Sequence, residues 1–179
     1  MNASGTASTV ARGGGGVLGG THVNALIARN VSGCYGSGAR LATLYNCTIV
    51  DNVGTNAGGH THSALGSTLY NCILWGNRDK TGAIVATGVT EAHASCLDKT
   101  STQDDEFCIY TDPKFVNAAS GDYVPKARAC RNSAVVYDWM TDPADVRSKD
   151  LAGNARLADT APDMGCYELQ LGGFFILIQ

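Results

Sequence analysis

The sequence predicts an all-β protein, namely a short right-handed parallel β-helix of three to four coils followed by a loop-rich C-terminal cap. Three observations lead to this prediction. A segment of about ten residues recurs at coil-like intervals, glycine is abundant while charged residues are few, and the prolines lie only in the second part of the chain. Together they indicate short strands separated by turns, with few helices.

The repeat is the strongest of these signals. Three segments align without gaps from Thr21, Thr43 and Thr68, and they read THVNALIARN, TLYNCTIVDN and TLYNCILWGN. Their starts are 22 and 25 residues apart, a period typical of one coil of a parallel β-helix. A leucine-rich repeat has a similar period, but its regularly spaced leucines are missing. A degenerate fourth copy is predicted to end near Cys96, which follows Cys72 by 24 residues.

Stacked coils lie about 4.8 Å apart, so equivalent residues of successive coils should form ladders. Strands are predicted near residues 23–28, 45–50 and 70–75. Two asparagine ladders are expected, one of Asn24, Asn46 and Asn71 and the other of Asn30, Asn52 and Asn77. An inward row of small residues should contain Ala25, Cys47, Cys72 and Cys96. An inward aliphatic row should contain Ile27, Ile49 and Leu74.

Composition supports the same architecture and limits the function. Charged residues make up 16% of the chain, glycine occurs 22 times, and the net charge is −3. This charge gives no global attraction to nucleic acid or to an anionic membrane. No run reaches the roughly 18–20 apolar residues of a transmembrane helix. The Gly-rich stretches 13–16 and 58–59 are predicted to form corners with positive φ.

The distribution of charges and prolines divides the chain. Residues 1–20 are expected to form a Gly-rich segment or a first partial coil, and residues 21–111 the coils. Residues 112–168 should form the cap, because they contain all four prolines, which central strands exclude. Residues 169–179 form an apolar tail, whose run 174–178 is expected to be ordered and buried. The start has no apolar core region of the kind found in a signal peptide.

At this point the motifs resemble a known family. The LYNC pattern with its terminal asparagine resembles coils of bacterial pectin-lyase-like right-handed β-helix proteins. Residues 112–117 (DPKFVN), 121–123 (GDY), 150–156 (DLAGNAR) and 163–168 (DMGCYE) resemble the C-terminal region of the choice-of-anchor Q type. The resemblance implies a secreted or cell-surface protein, outside the cell or on a bacterial surface.

Seven cysteines leave at least one thiol without an intramolecular partner. Those on the inward row, including Cys47 and Cys72, are predicted to pack as small apolar fillers. A disulfide between Cys130 and Cys166 is expected in the cap. A bridge between Cys96 and Cys108 is the next candidate.

No catalytic residues are predicted, because the coils contain no converging carboxylates. Asp51 is the single acid of the repeat region, and it is expected to pair with Arg29 at the surface. No cofactor or metal site is assigned. His60 and His62 would share one face of a strand, but a polar corner loop is the simpler interpretation. The acidic run 104–106 is interpreted as a solvated loop, with calcium as the alternative.

An outward aromatic strip is the remaining candidate site. Tyr45, Tyr70 and Trp75 recur in the coils and could stack on sugars. We expect a structural, adhesive or self-assembling module whose partners are other copies or upstream β-helix coils, with glycans as further candidates. The alternatives are the C-terminal part of a polysaccharide lyase or hydrolase, and a carbohydrate-binding module that uses the aromatic strip.

Overall fold

The structure, a computed structural model, describes residues 13–56, 61–98 and 107–170. It confirms the predicted all-β parallel β-helix, which makes about three full turns in the described residues. The first coil contains strands β1 (Val17–Leu18), β2 (Thr21–Val23), β3 (Leu26–Ala28) and β4 (Val31–Ser32). The second contains β5 (Gly36–Arg40), β6 (Thr43–Tyr45), β7 (Thr48–Val50) and β8 (Val53–Gly54).

The third coil contains β9 (His62–Leu65), β10 (Thr68–Tyr70), β11 (Ile73–Trp75) and β12 (Arg78–Asp79), and a partial fourth coil adds β13 (Glu91–His93) and β14 (Cys96–Leu97). Equivalent strands pair in parallel to form four sheets along the helix within the described residues. In the sheet that contains β2, Thr21 lies beside Thr43, and Thr43 lies beside Thr68. The predicted register of the three repeats is therefore confirmed.

Each predicted strand is in fact two strands separated by a corner. Asn24, Asn46 and Asn71 turn the chain between β2 and β3 and at the equivalent points of the next two coils, with φ values of 56°, 49° and 57°. Asparagine tolerates this left-handed backbone better than most residues. The asparagine row therefore marks a corner of the coil, which a pattern of apolar residues cannot reveal.

The fourth coil departs from the predicted register by one residue. Cys96 pairs with Ile73 and does not lie above Cys72. Ser95 takes the small-residue position, because its hydroxyl accepts a hydrogen bond from the Cys72 N–H at 2.9 Å. His93 consequently lies beside Tyr70. The prediction for Cys96 was wrong because the connection into this coil is shorter than the repeat suggested.

The glycines at residues 14–16 are not corner residues, and this expectation was also wrong. A Cβ atom on Gly16 would lie 2.5 Å from Ile27 Cγ2, and a Cβ on Gly38 would lie 2.5 Å from Ile49 Cγ2. These glycines are needed because the backbone of the first sheet passes directly over the core. Residues 58–59, which were expected to form another corner, lie outside the described residues.

The interior of the coils is filled by aliphatic side chains from successive turns. Ile27, Ile49, Leu74 and Leu97 form one inward row. Leu44 and Leu69, both with no exposed surface, form another. Each such side chain contributes about 1.5–3 kcal/mol on burial. The core therefore runs continuously along the helix axis.

The C-terminal region is loop-rich, as expected, and it lies along the side of the β-helix. It contains an antiparallel pair, β15 (Phe115–Asn117) with β16 (Asp122–Pro125). Its 3₁₀ turns span Ala118–Ser120, Arg128–Cys130, Asp138–Met140 and Val146–Ser148. The region contacts all three complete coils, through Asn24 in the first, Thr48 in the second and Asn71 in the third.

Candidate functional site

The corner asparagines bind the C-terminal region more than they bind one another. Asn24 Nδ2 donates to the carbonyl oxygens of Arg147 at 3.0 Å and Lys149 at 2.6 Å. Asn71 Oδ1 accepts from the Val135 N–H at 2.9 Å, and Asn71 Nδ2 donates to the Val135 carbonyl at 2.8 Å. Within the row, Asn71 Nδ2 reaches Asn46 Oδ1 at only 3.4 Å. This predicted ladder therefore serves mainly to bind the C-terminal region to the coils.

Arg156 occupies the centre of that contact. Its guanidinium is fully buried, donates to Asn24 Oδ1 from Nε at 3.0 Å and from Nη2 at 2.7 Å, and pairs with Glu168 Oε1 at 2.8 Å. It also donates to the Gly165 carbonyl at 2.9 Å. A buried arginine whose donors are all used in this way positions backbone and does not leave a cation free for a substrate.

Three buried carboxyl groups complete this cluster. Glu168 accepts from the Asp163 N–H, Asp163 accepts from the N–H groups of Asn132 and Leu169, and Asp150 accepts from the Glu168 N–H. Loss of hydration raises the pKa of Glu168 to about 8, against the opposing field of Arg156. Loss of hydration also raises the pKa of Asp163. The acids therefore hold the loops of the C-terminal region together.

Arg29 and Asp51 are joined through a third residue. The Tyr123 hydroxyl accepts from Arg29 Nε at 2.9 Å and donates to Asp51 Oδ2 at 2.8 Å. Burial and the hydrogen bond to Asp51 raise the pKa of Tyr123. The predicted pair is thus part of a three-residue link. It joins the corner that follows β3 and β7, where Arg29 and Asp51 lie, to Tyr123 in β16.

The second asparagine ladder is regular. Asn30 Nδ2 donates to Asn52 Oδ1 at 2.8 Å, and Asn52 Nδ2 donates to Asn77 Oδ1 at 2.8 Å. Asn77 Nδ2 instead donates back to the Ile49 carbonyl of the second coil at 2.9 Å, as Asn52 Nδ2 also does to the Ile27 carbonyl of the first. Asn52 and Asn77 have no exposed surface. The side-chain ladder has a direction, because Asn30 and Asn52 each donate to the side-chain oxygen of the asparagine in the following coil.

Two of the three predicted aromatic residues form a stack. Tyr45 and Tyr70 lie 4.7 Å apart between ring centroids, and His93 stacks on Tyr70 at 5.0 Å. Tyr137 packs edgewise on Tyr45 at 5.5 Å, and Trp139 stacks on Tyr137 at 5.8 Å. Both faces of the Tyr70 ring are therefore covered by other rings, whereas a sugar would stack on a ring face.

Trp75 lies apart from the other two. It belongs to β11, in a different sheet from the tyrosines, and packs against the buried cluster that contains Ile73 and Met164. The structure thus does not bring the three predicted aromatic residues into one strip. Tyr45 and Tyr70 contact the C-terminal region through Tyr137.

None of the seven cysteines, all of which lie in the described residues, forms a disulfide in the structure. Cys47 and Cys72 are buried on the inward row as predicted, and the Cys47 N–H donates to Cys72 Sγ at 3.4 Å. Burial raises the pKa of the Cys72 thiol. The alternative Cys96–Cys108 bridge is absent, because Cys96 Sγ donates to the Thr111 carbonyl whereas Cys108 Sγ donates to that of Ala92.

The predicted Cys130–Cys166 bridge is also absent. The Cys166 N–H bonds to Thr48 Oγ1, whereas the Cys130 thiol lies against Cys96. Thr48 and Cys96 occupy one row with Ile73 between them. The two cysteines are therefore held by different coils of this row.

The metal candidates cannot be assembled from the described residues. In these residues no group of three or more His, Cys, Asp or Glu side chains could hold a metal ion. His62 lies in β9. His60, the acidic run 104–106 and the tail 174–178 lie outside the described residues, so the expectations for them stay predictions.

Several residues that carry the contacts were not predicted as site residues. They are Tyr123, Tyr137, Arg156, Asp163 and Glu168. Three of them lie in the DLAGNAR and DMGCYE segments, which were singled out by resemblance alone. The partners of Arg156 that decide its burial lie in the first coil, so no local pattern could reveal its role.

Comparisons with protein-family models, curated proteins and solved structures found no match to this chain. None of the helices in the described residues is long and apolar enough to cross a membrane. The fold and the contacts define a parallel β-helix with a laterally bound C-terminal region.

Proposed function

We propose that this protein is a non-catalytic structural module, placed outside the cell or on a cell surface, that assembles by adding a further β-helix coil to its first coil. The observation that carries this proposal is the edge formed by β1, β2, β3 and β4. Among the described residues, each of these strands is the first of its sheet and pairs on one side only, while β12, β13 and β14 are the last strands at the opposite end. An open parallel edge is a template for another strand.

The second asparagine ladder favours a coil of the same kind. Asn30 uses its amide nitrogen on Asn52, and Asn30 Oδ1 has no partner among the described residues. The equivalent oxygen of the next coil, Asn52 Oδ1, accepts two hydrogen bonds from Asn30. They come from the backbone N–H at 3.0 Å and from Nδ2 at 2.8 Å. An incoming coil with an asparagine at the equivalent position would reproduce this arrangement.

The backbone of β2 offers matching groups. The Asn24 N–H donates to the Tyr45 carbonyl, and the Thr43 N–H donates to the Gly20 carbonyl. Peptide groups alternate in direction along a strand, so the groups of Thr21 and Val23 point away from β6. They are oriented for a preceding coil supplied by a second copy of the chain.

The use of the charged residues also supports a structural role. Arg29, Asp51, Arg156 and Glu168 are engaged in holding the C-terminal region on the coils. A stack of coils whose side is covered by the C-terminal region and whose first coil presents a sheet edge is the arrangement expected of a solenoid that extends by stacking.

The test is sedimentation equilibrium of the purified chain over a wide concentration range. We expect the mean mass to rise with concentration for the unmodified chain and to stay at the monomer value for Val23→Pro, which removes the outward donor. Val23→Thr, which keeps that donor, is the matched control and should assemble normally. A monomer at every concentration would refute the proposal, as would equal assembly of all three proteins.

A further inference from the structure

Two cysteines that are far apart in sequence meet where the C-terminal region covers the fourth coil. Cys96 lies in β14 and Cys130 ends the 3₁₀ turn Arg128–Cys130. Both side chains have no exposed surface, and their thiols lie against each other. They pack in one cluster with Ile73, Ala134 and Met164.

We propose that Cys96 and Cys130 form a disulfide in an oxidising environment, and that this bond fastens the C-terminal region to the fourth coil. The proposal rests on the contact of the two buried thiols within one cluster, since a disulfide requires its two cysteines to be neighbours. The Met164 N–H donates to the Cys130 carbonyl at 2.9 Å and so anchors the turn. This proposal is independent of the assembly at the first coil.

The chemistry requires an external disulfide such as oxidised glutathione. The Cys130 thiolate attacks one of its sulfur atoms, forming a mixed disulfide and releasing one glutathione thiolate. The Cys96 thiolate then attacks the Cys130 sulfur and displaces the second. Two protein S–H bonds become one S–S bond, the two electrons cleave the disulfide of oxidised glutathione, and the two protons pass to the two glutathione thiolates, which leave as thiols.

The surroundings assign the attacking role to Cys130. The hydrogen bond with Cys96 lowers the pKa of the Cys130 thiol, whereas the same contact and burial raise the pKa of Cys96. Arg128 and Ala129 in the same turn are exposed, so a local opening of this short turn gives the oxidant access to Cys130.

The other touching pair has a different effect. Cys47 and Cys72 lie in successive coils inside the core, and each thiol donates to backbone carbonyls of the coils. A bond there would join two coils that are already paired by β7 and β11. A bond between Cys96 and Cys130 instead joins the fourth coil to the C-terminal region and closes a somewhat longer loop, so on loop entropy it should stabilise slightly more.

The experiment treats the folded chain with oxidised glutathione, blocks remaining thiols and maps tryptic peptides by mass spectrometry. We expect residues 81–99 linked to residues 129–131. The melting temperature should rise by about 5–10 °C over the reduced protein, as expected for closing a loop of this size. Cys166→Ser should keep both effects, whereas Cys130→Ser should lose both.

Three results would overturn the proposal. They are a link from residues 129–131 to residues 157–179, the absence of any link to Cys130, and a Cys96–Cys130 link that leaves the melting temperature unchanged. The peptide map of the unmodified chain decides the pairing even if Cys130→Ser does not fold.

Discussion

Arg156 donates two hydrogen bonds to the side-chain oxygen of Asn24, which lies 132 residues earlier in the chain. One residue belongs to the C-terminal region and the other turns the first coil. The same guanidinium donates to Glu168 Oε1 at 2.8 Å, and this contact helps to orient it toward Asn24. This relationship ties the last part of the chain to the first described coil.

We expect Arg156→Ala to lower the free energy of unfolding by about 3–5 kcal/mol, because it leaves several buried oxygens, among them Asn24 Oδ1 and Glu168 Oε1, without their donor. Arg156→Lys should lose less, since it keeps the charge but cannot make the same set of directed hydrogen bonds. Urea unfolding followed by circular dichroism measures both. Arg147→Ala is the exposed control and should change stability by less than about 1 kcal/mol. Equal values for Arg156→Ala and the unmodified protein would contradict the structural role.

The stability of the protein should fall as the pH rises from 5 to 8. The pKa of Glu168 in the folded state is about 8, above its value in the unfolded chain, so the folded state binds the additional proton. This contribution is complete below the unfolded pKa and is lost as the pH passes through the folded pKa. We expect a loss on the order of 2 kcal/mol. Urea titrations across this range should show the slope, and Glu168→Gln should flatten it. The same slope in Glu168→Gln would assign it to another group.

The left-handed corners can be tested at Asn46. Its φ is 49°, which alanine adopts at a cost of about 1–2 kcal/mol and glycine adopts freely. Asn46→Ala should therefore be less stable than Asn46→Gly by about 1 kcal/mol, although both lose the contact with Asn71. Thermal unfolding of the two variants isolates the backbone effect. If alanine is tolerated as well as glycine, strain at this corner is negligible.

Gly38→Ala should destabilise the protein by about 1–3 kcal/mol through overpacking. The new Cβ would lie 2.5 Å from Ile49 Cγ2 and 3.0 Å from Asn52 Nδ2, inside the core. Chemical denaturation of Gly38→Ala and of the double variant Gly38→Ala with Ile49→Leu tests the contact, because leucine has no Cγ2 methyl group. Removing this methyl group from residue 49 should recover part of the loss, and no recovery would place the strain elsewhere.

The repeat was readable from the sequence because stacked coils impose the same local environment on equivalent residues. Thr, Asn and aliphatic residues therefore recur, and their spacing correctly predicted the pairing of Thr21 with Thr43 and of Ile27 with Ile49. The corner between β2 and β3 was missed, because an asparagine in the left-handed region interrupts a strand without interrupting the apolar pattern. Cys96 was misplaced because a change of one residue in a connecting loop leaves no mark on the flanking strand.

The candidate aromatic strip shows a further limit. Tyr45 and Tyr70 were correctly placed in one row, since their position follows from the coil register. Whether their faces are open depends on His93 and Tyr137, which come from the irregular fourth coil and the C-terminal region. Trp75 was grouped with them by residue type alone, and the corner at Asn71 sends it to another sheet.

The sequence by itself determined the β-helix, because each coil takes up a similar number of residues. Equivalent residues therefore recur at a spacing that can be read directly from the chain. Only the tertiary structure decided where the C-terminal region lies, which asparagines bind it, and that Cys130 faces Cys96. Those contacts join residues tens to more than a hundred positions apart and repeat nowhere in the chain. Their partners are fixed by shape, by burial of charge and by hydrogen bonding after the coils have formed, so no local pattern records them.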